Sequence, residues 1–249
     1  MKISIITVVY NNAATIRGAI ESVLKQSYAD VEYIVVDGGS NDGTVDIIKS
    51  YGEKIDKFIS EKDKGLYDAM NKGIKMATGD VVGTLNSDDF FYDDKVLANI
   101  AAGFEDGQPE AVIGDIVFIR NASEDSILRK YSSAKWTPGR FAWGYMPAHP
   151  SFYARRDLFE RFGLYKTDYQ IASDYELLIR HLLVHQVKWK YIPIITTKMR
   201  LGGASTRGIK SVLTLNKEIA RACRENGIYT NYFMIYSKYF FKPFEFIFK

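Results

Sequence analysis

Gly79-Asp80-Val81-Val82-Gly83-Thr84-Leu85-Asn86-Ser87-Asp88-Asp89 reads as an apolar strand that runs straight into two adjacent carboxylates. Aspartates disfavour strands and repel one another, so a strand ending in Asp88-Asp89 needs positive charge to hold it. A divalent cation carrying phosphate oxygens meets that need, because hard metals take carboxylate and phosphate oxygens together. The competing reading is a loop whose aspartates cap whatever follows Phe90-Phe91. The surrounding chain decides between the two.

Upstream, strand and helix signals alternate. Ile3–Tyr10 is a β-branched apolar run, and Ile16, Ala19, Ile20, Val23 and Leu24 recur at helical spacing. Val31–Val36 reads as a second strand, followed by the turn Gly38-Gly39-Ser40-Asn41-Asp42-Gly43 and a short helix after Thr44. Lys57–Ser60 is a third candidate strand. Leu66, Ala69, Met70, Gly73, Ile74 and Ala77 then trace a helical face before Val81–Leu85. Such alternation implies right-handed crossovers and a mostly parallel sheet, with ligands at the carboxyl ends of its strands. Tyr10-Asn11, Asp37 and Asp88-Asp89 all fall at such ends, so three polar clusters are expected to meet in one crevice.

Downstream of Ala111–Ile119 the pattern loosens around Pro138-Gly139 and Met146-Pro147. A strand-like Ser151–Ala154 follows, then a helix beginning near Asp174. Lys188–Ile192 and Ile194–Met199 read as two strands around Pro193, and Lys210–Arg224 as an amphipathic helix. Tyr232, Phe233, Tyr236, Tyr239, Phe240, Phe241, Phe244, Phe246 and Phe248 crowd the tail among Lys238, Lys242 and Lys249. That tail reads either as a helix packed on the catalytic domain or as an interfacial anchor with lysines near anionic headgroups.

Of the 249 residues, 47% are hydrophobic and 25% charged, enough for a sizeable core in a soluble chain. A net charge of +3 is too small to argue for nucleic-acid binding. The single cysteine, Cys223, excludes an internal disulfide and a cysteine-based zinc site. Met1-Lys2 leads directly into strand, without the cleavage site of a signal peptide, and no apolar run is long enough to span a bilayer. The expected location is the cytoplasm, with peripheral contact at the inner face of the cytoplasmic membrane if the tail is an anchor.

No G-x-G-x-x-G follows the first strand, which argues against dinucleotide binding. The turn there reads Thr7-Val8-Val9-Tyr10-Asn11-Asn12. Asp37, after the second strand, suits the N–H of a base such as uracil, and Gly38-Gly39 allow close approach to the backbone. The same residues also fit a plain Asp-Gly turn. In order, Thr7–Asn12, Asp37–Thr44 and Leu85–Asp89 resemble the family 2 glycosyltransferases, which have the GT-A fold. Glu61-Lys62-Asp63-Lys64-Gly65-Leu66-Tyr67-Asp68-Ala69-Met70-Asn71-Lys72-Gly73 and Ile171–Leu177 are similar to the bacterial exopolysaccharide and lipopolysaccharide members. The resemblance covers roughly residues 3–205.

The resemblance implies that Thr7, Tyr10, Asn11, Asp37 and Gly39 line the nucleoside pocket, flanked by Asp63, Asp68 and Asn71. Asn86, Ser87 and Asp88 would occupy the family's D-x-D motif, with Asp88 binding Mn²⁺ or Mg²⁺ and Asp89 sharing the ion. Asn86 departs from that motif, since an amide bonds a ribose hydroxyl but brings no charge. Asp174 matches the general base of the inverting members, although it also suits a helix N-cap. His149 would contact the diphosphate or the acceptor, or serve as a structural hydrogen-bonding residue. Arg200–Ser205 is similar to the family's glycine-bearing loop, which either closes on the diphosphate with Arg200 or Arg207 adding positive charge or is a tight turn. His181 and His185 read as packing or surface residues, and Glu176 as structural or exposed.

The expectation is therefore an α/β protein of GT-A (nucleotide-diphospho-sugar transferase) fold. A mostly parallel central sheet flanked by helices would occupy residues 1–207, and an aromatic-rich helical extension residues 208–249. The resemblance implies a metal-dependent, inverting transferase moving a sugar from a nucleotide-diphosphate donor, expected to be a UDP-sugar. The acceptor would be a saccharide or a polyprenyl-diphosphate-linked saccharide of cell-surface polysaccharide synthesis. Two rivals are a catalytically silent nucleotide-sugar-binding subunit, which Asn86 favours, and a sugar-1-phosphate nucleotidyltransferase. The second lacks its Gly-rich basic loop here.

Overall fold

The computed structural model describes residues 1–120, 127–201 and 208–241. The expected alternation is present. Strand β1 (Ile3–Val9) leads to helix α1 (Ile16–Leu24), β2 (Val31–Asp37) to α2 (Thr44–Lys49), and β3 (Lys57–Ser60) to α3 (Leu66–Met76), ahead of β4 (Val81–Thr84). The order β3-β2-β1-β4 is parallel throughout. Seven consecutive buried residues in β1 fit a strand covered on both faces.

Beyond β4 the sheet becomes mixed. After the short β5 (Phe90–Phe91) come α4 (Val96–Glu105), β6 (Ala111–Ile119), β7 (Ile127–Tyr131), β8 (Phe152–Arg155) and α5 (Asp157–Phe162). Strand β8 runs antiparallel to both β4 and β6, and so joins the two halves into one sheet. Strand β9 (Trp189–Arg200) pairs parallel with β6 and antiparallel with β5. The two strands expected around Pro193 are thus one. Ile113 pairs with Tyr191 and Asp115 with Ile195, so the partner strand bulges outward where proline cannot donate to the ladder.

Helix α6 (Ser173–Ile179) continues as a π-turn over Arg180–Val184, and α7 (Ile209–Glu225) and α8 (Tyr232–Phe241) close the described chain. Ile219, Ala222 and Cys223 of α7 and Ile235 of α8 belong to the same core as Phe141, Tyr175 and Leu178. Among the described residues, the helices of the extension are therefore packed into the core of the sheet domain. Glycines 73 and 83 set two of the closest packings. A Cβ on Gly73 would lie 2.3 Å from Ile6, and one on Gly83 2.2 Å from the Tyr153 ring.

Candidate active site

The loops at the carboxyl ends of β1, β2 and β4 are stitched to one another. Asn11 N–H donates to Ser40 Oγ at 2.7 Å, and Asn41 N–H donates back to Asn11 Oδ1 at 2.9 Å. Asn11 adopts φ 47°, a left-handed conformation that asparagine tolerates. Asn12 N–H bonds Thr44 Oγ1, and the Asn12 amide bonds Ser87 Oγ, both at 2.9 Å. Thr15 Oγ1 donates to the Ser87 carbonyl at 2.8 Å. The three clusters expected to meet do so through their own side chains.

That stitching redefines several candidates. Ser87 is buried and serves as the staple between the first and third loops. Thr7 does not line a pocket: it lies within β1 at 0% exposure and accepts the Tyr33 hydroxyl at 3.1 Å. Asp37 is likewise corrected. It is also 0% exposed, and its Oδ2 accepts from Gly39 N–H, Ser40 N–H and Ser60 Oγ at 3.0, 3.0 and 2.6 Å. Its Oδ1 is buried with no hydrogen-bond partner among the described residues. Asn71 faces the protein: its amide pairs with Tyr165 in both directions, at 2.8 and 3.0 Å. Each correction has one cause, which is that sequence position alone does not say which way a side chain turns.

Tyr10, by contrast, is 66% exposed. Beside it Gly38 leaves a gap that Asp63 fills, for a Cβ there would meet Asp63 Oδ2 at 3.0 Å and the Tyr10 ring at 3.4 Å. Burial raises the Asp63 pKa, against the pull of Lys72, which is bonded to its Oδ1. Lys72 also pairs with Glu61 at 2.8 Å and lies 3.8 Å from Asp68. Asp68 Oδ2 accepts Lys64 N–H at 3.0 Å, steadying the entry to α3. Gly39 is exposed at φ 82°, the left-handed region that favours glycine.

At the end of β4 the two carboxylates separate. Asp88 is half-buried, and its carboxylate has no protein partner among the described residues. Asp89 turns inward and is corrected as a metal ligand. Its Oδ2 accepts the Asn86 amide at 3.1 Å and its Oδ1 the Arg200 N–H at 3.3 Å. Burial, then the charge of Asp88, pushes the Asp89 pKa up to about 7. Arg200 Nε donates to the Asp88 carbonyl at 3.0 Å and its guanidinium covers the Phe90 ring at 5.4 Å, which brings the end of β9 to this loop. Among the described residues no three acidic, histidine or cysteine side chains converge into a cage for an ion.

Asp174 opens α6 with its Oδ1 accepting Tyr175 N–H at 2.8 Å, and its Oδ2 lies 3.2 Å from His149 Nδ1. Its side chain keeps 15% exposure. Burial raises its pKa above the usual carboxylate range, and the His149 charge works in the opposite direction. His149 begins a turn, His149–Ser151, that packs against β4, β6, β9 and α6, so one short segment links Asp174 to the strand that ends in Asp88. Tyr67 of α3 stacks on Tyr165 at 5.7 Å and donates to the Ile171 carbonyl, which ties α3 to the same place.

His181 is buried against Phe152, Phe159 and Phe162, and His185 stacks on Phe162 at 4.0 Å, so both are packing residues. Glu176 is buried and paired with Arg180 at 2.9 Å. Sequence reading missed Lys72, which the i,i+4 spacing from Asp68 signals, and Ser60, which nothing local signals. Gly202–Ser205, Arg207, Lys242, Phe244, Phe246, Phe248 and Lys249 lie outside the described residues.

Comparison with known proteins places this geometry. The family model described as "Glycosyl transferase family 2" matches residues 4–163. A PGL/p-HBAD biosynthesis glycosyltransferase of Mycobacterium bovis is 28% identical over 211 residues, covering 81% of this chain and 78% of its own. An uncharacterized glycosyltransferase of Rickettsia typhi is 31% identical over 208 residues, covering 79% of this chain and 64% of its own. Among solved structures, S. aureus TarS 1-349 in complex with UDP-GlcNAc superposes with TM-score 0.70 at 18% identity, over 89% of this chain and 66% of that one. The chain spans 39% of the longer TarS chain. The mannosyltransferase PcManGT from Pyrobaculum calidifontis, in complex with GDP-Man and Mn2+, gives TM-score 0.65 at 21% identity, over 88% and 64%. With 160 of its 249 residues inside the family match, and the parallel block, the β4 loop and the converging turns in place, this chain is a glycosyltransferase of GT-A fold and belongs to glycosyl transferase family 2.

Proposed function

We propose that the protein transfers a sugar from a nucleotide-diphosphate donor to an acceptor hydroxyl with inversion, with Asp174 as general base. The observation that carries this reading is the His149–Asp174 pair, joined by one turn to the strand whose loop bears the open Asp88 carboxylate. Tyr10, Gly38 and Asp63 form the nucleoside side. Asp63 replaces the buried Asp37 as the carboxylate suited to a base N–H, and uracil and guanine both carry one. One solved neighbour is in complex with UDP-GlcNAc and another with GDP-Man, which supports a nucleotide-sugar donor.

A single open carboxylate fits Mn²⁺ or Mg²⁺ delivered with the diphosphate, since such ions are commonly held by one or two carboxylates plus phosphate oxygens. Asp88 would hold it, and Arg200 would add positive charge behind the loop. When bound, the ion supplies charge stabilisation for the departing diphosphate. Asp174 takes the proton from the acceptor hydroxyl as that oxygen bonds the anomeric carbon and the bond to the diphosphate breaks. A carboxylate whose pKa is raised is a stronger base for this task. His149 orients it.

Acceptor and membrane contact are read from the tail. Ile235 and Lys238 of α8 are buried, whereas Phe233 and Phe240 are 79% and 76% exposed. Seven residues apart, they share one outward face, and no acidic residue lies between Gly227 and Phe244. Such a face suits an anionic lipid surface and hence a lipid-linked acceptor. Among the described residues no helix is long and apolar enough to cross a membrane. The test is nucleoside diphosphate release from UDP- and GDP-sugars with a saccharide acceptor panel, with and without a chelator. Failure to bind any nucleotide sugar in the presence of Mn²⁺ would refute the reading, and binding without any transfer would favour a silent subunit.

A further inference from the structure

The loop that delivers Asp174 is held from outside the family match. Glu218, at the middle of α7, directs both carboxylate oxygens at three consecutive backbone N–H groups, those of Gln170, Ile171 and Ala172, at 2.7, 2.9 and 2.8 Å. Its side chain is almost wholly buried. Three amides converging on one carboxylate form an anion nest, and charge-assisted bonds of this kind are shorter and stronger than neutral ones. From the other side Tyr67 donates to the Ile171 carbonyl, and Ser173 Oγ donates to the Lys166 carbonyl at 2.8 Å. The segment is thereby fixed up to Ala172, the residue before α6, and Asp174 emerges two residues later.

We infer that Glu218 is a positioning residue for sugar transfer: it fixes the backbone of residues 170–172 so that Asp174 is presented to His149 and the cleft. The inference rests on the reading of Asp174 as the base. It also makes α7 part of the catalytic machinery, because loosening this loop displaces the base without touching Asp63, Tyr10 or Asp88.

A merely structural carboxylate would affect stability alone, whereas a positioning one has a pH signature. The groups facing Asp174 are His149 from the turn before β8, Tyr67 of α3, Tyr165 of the preceding loop, and Glu218 from α7. On the far side of α6, Glu176 is balanced by Arg180 and Lys166. Replacing Glu218 by glutamine removes a negative charge from this group, which favours ionisation of Asp174 and moves the acid limb of the pH–rate profile to lower pH.

The experiment compares the full-length protein with Glu218→Gln, Glu218→Asp and Asp174→Asn. It measures transfer kinetics against pH, UDP affinity with Mn²⁺, and amide exchange at residues 170–172. Glu218→Gln should speed exchange at those amides, lower kcat on the order of 10- to 100-fold as expected for a displaced catalytic group, and leave UDP affinity within about twofold. Glu218→Asp, which keeps the charge but shortens the reach, should fall between, and it carries the test if the glutamine variant does not fold. Wild-type kcat and acid limb in both variants would overturn the inference, as would a loss of rate matched by equal loss of UDP affinity. If Asp174→Asn transfers at the wild-type rate, the base assignment fails. Exchange at residues 170–172 then still decides whether Glu218 holds the loop.

Discussion

At the scale of the residue, two aspartates that look alike in the sequence have opposite surroundings. Asp174 keeps a wet edge and a histidine neighbour, while Asp37 is sealed beneath its turn. Asp174→Asn keeps the shape and can still accept Tyr175 N–H, yet it cannot take a proton. Transfer should fall by about 10²–10⁴-fold with UDP affinity intact, checked by single-turnover rates at saturating donor. The raised pKa of Asp174 means that the fold favours its protonated form, so the ionised form costs stability once pH exceeds the ordinary aspartate value. The asparagine variant should therefore unfold at a higher temperature than wild type at pH 7.5, and the gap should close as pH falls toward 4. For Asp37→Ala the expected loss is structural. Two N–H groups and the Ser60 hydroxyl lose their acceptor, at about 1–3 kcal/mol for each group left buried and unpaired. Denaturant titration should show that loss, whereas a selective fall in nucleoside affinity at unchanged stability would contradict the burial of Asp37.

At the scale of the element, the ends of β1, β2 and β4 act as one unit because short polar side chains cross between their loops. Asn12 and Ser87 are the joint: a single amide reaches from the first loop to the third. Close sheet packing underlies that joint. Gly83, in the middle of β4, lies against the Tyr153 ring of β8, which occupies the space a side chain would need. Gly83→Ala should force the two strands apart and cost about 1–3 kcal/mol, as overpacking of a well-packed core does. The same displacement would shift Asp88, so metal-dependent UDP binding should weaken along with the thermal midpoint. Wild-type stability and affinity in this variant would refute the close approach.

At the scale of the whole molecule, the helical extension serves both sides of the protein. Its inner face supplies Ile219, Cys223 and Ile235 to the core, and Asn216 and Tyr239 bond across α7 and α8 at 3.1 Å. Its outer face offers Phe233 and Phe240 to the surroundings. The double substitution Phe233→Ser with Phe240→Ser should move the thermal midpoint by no more than about 2–4 °C, because each surface change seldom exceeds about 0.5 kcal/mol. Binding to vesicles containing anionic lipid should drop severalfold, measured by flotation. Unchanged flotation would remove the membrane reading and leave α8 as a packing helix.

The alternation of apolar strands and helical faces determined the parallel block by itself, since period-2 and period-3.6 burial are written locally. The order of the motifs likewise sufficed for the family, and Tyr10 and Asp88 were legible as candidates from their places at strand ends, Asp174 through the resemblance. Which way a polar side chain turns was decided only by the tertiary structure. Thr7, Asp37 and Asp89 stand at equally promising positions, yet each points into the protein, where Tyr33, the turn amides and Arg200 receive them. The joining of β9 across Pro193 needed β6 as its partner, because a strand's continuity is a property of the ladder. Glu218 lies 44 residues beyond Asp174 on what reads as an ordinary amphipathic helix. No local pattern marks it, because its role exists only once α7 folds back across the loop and three amides find their acceptor.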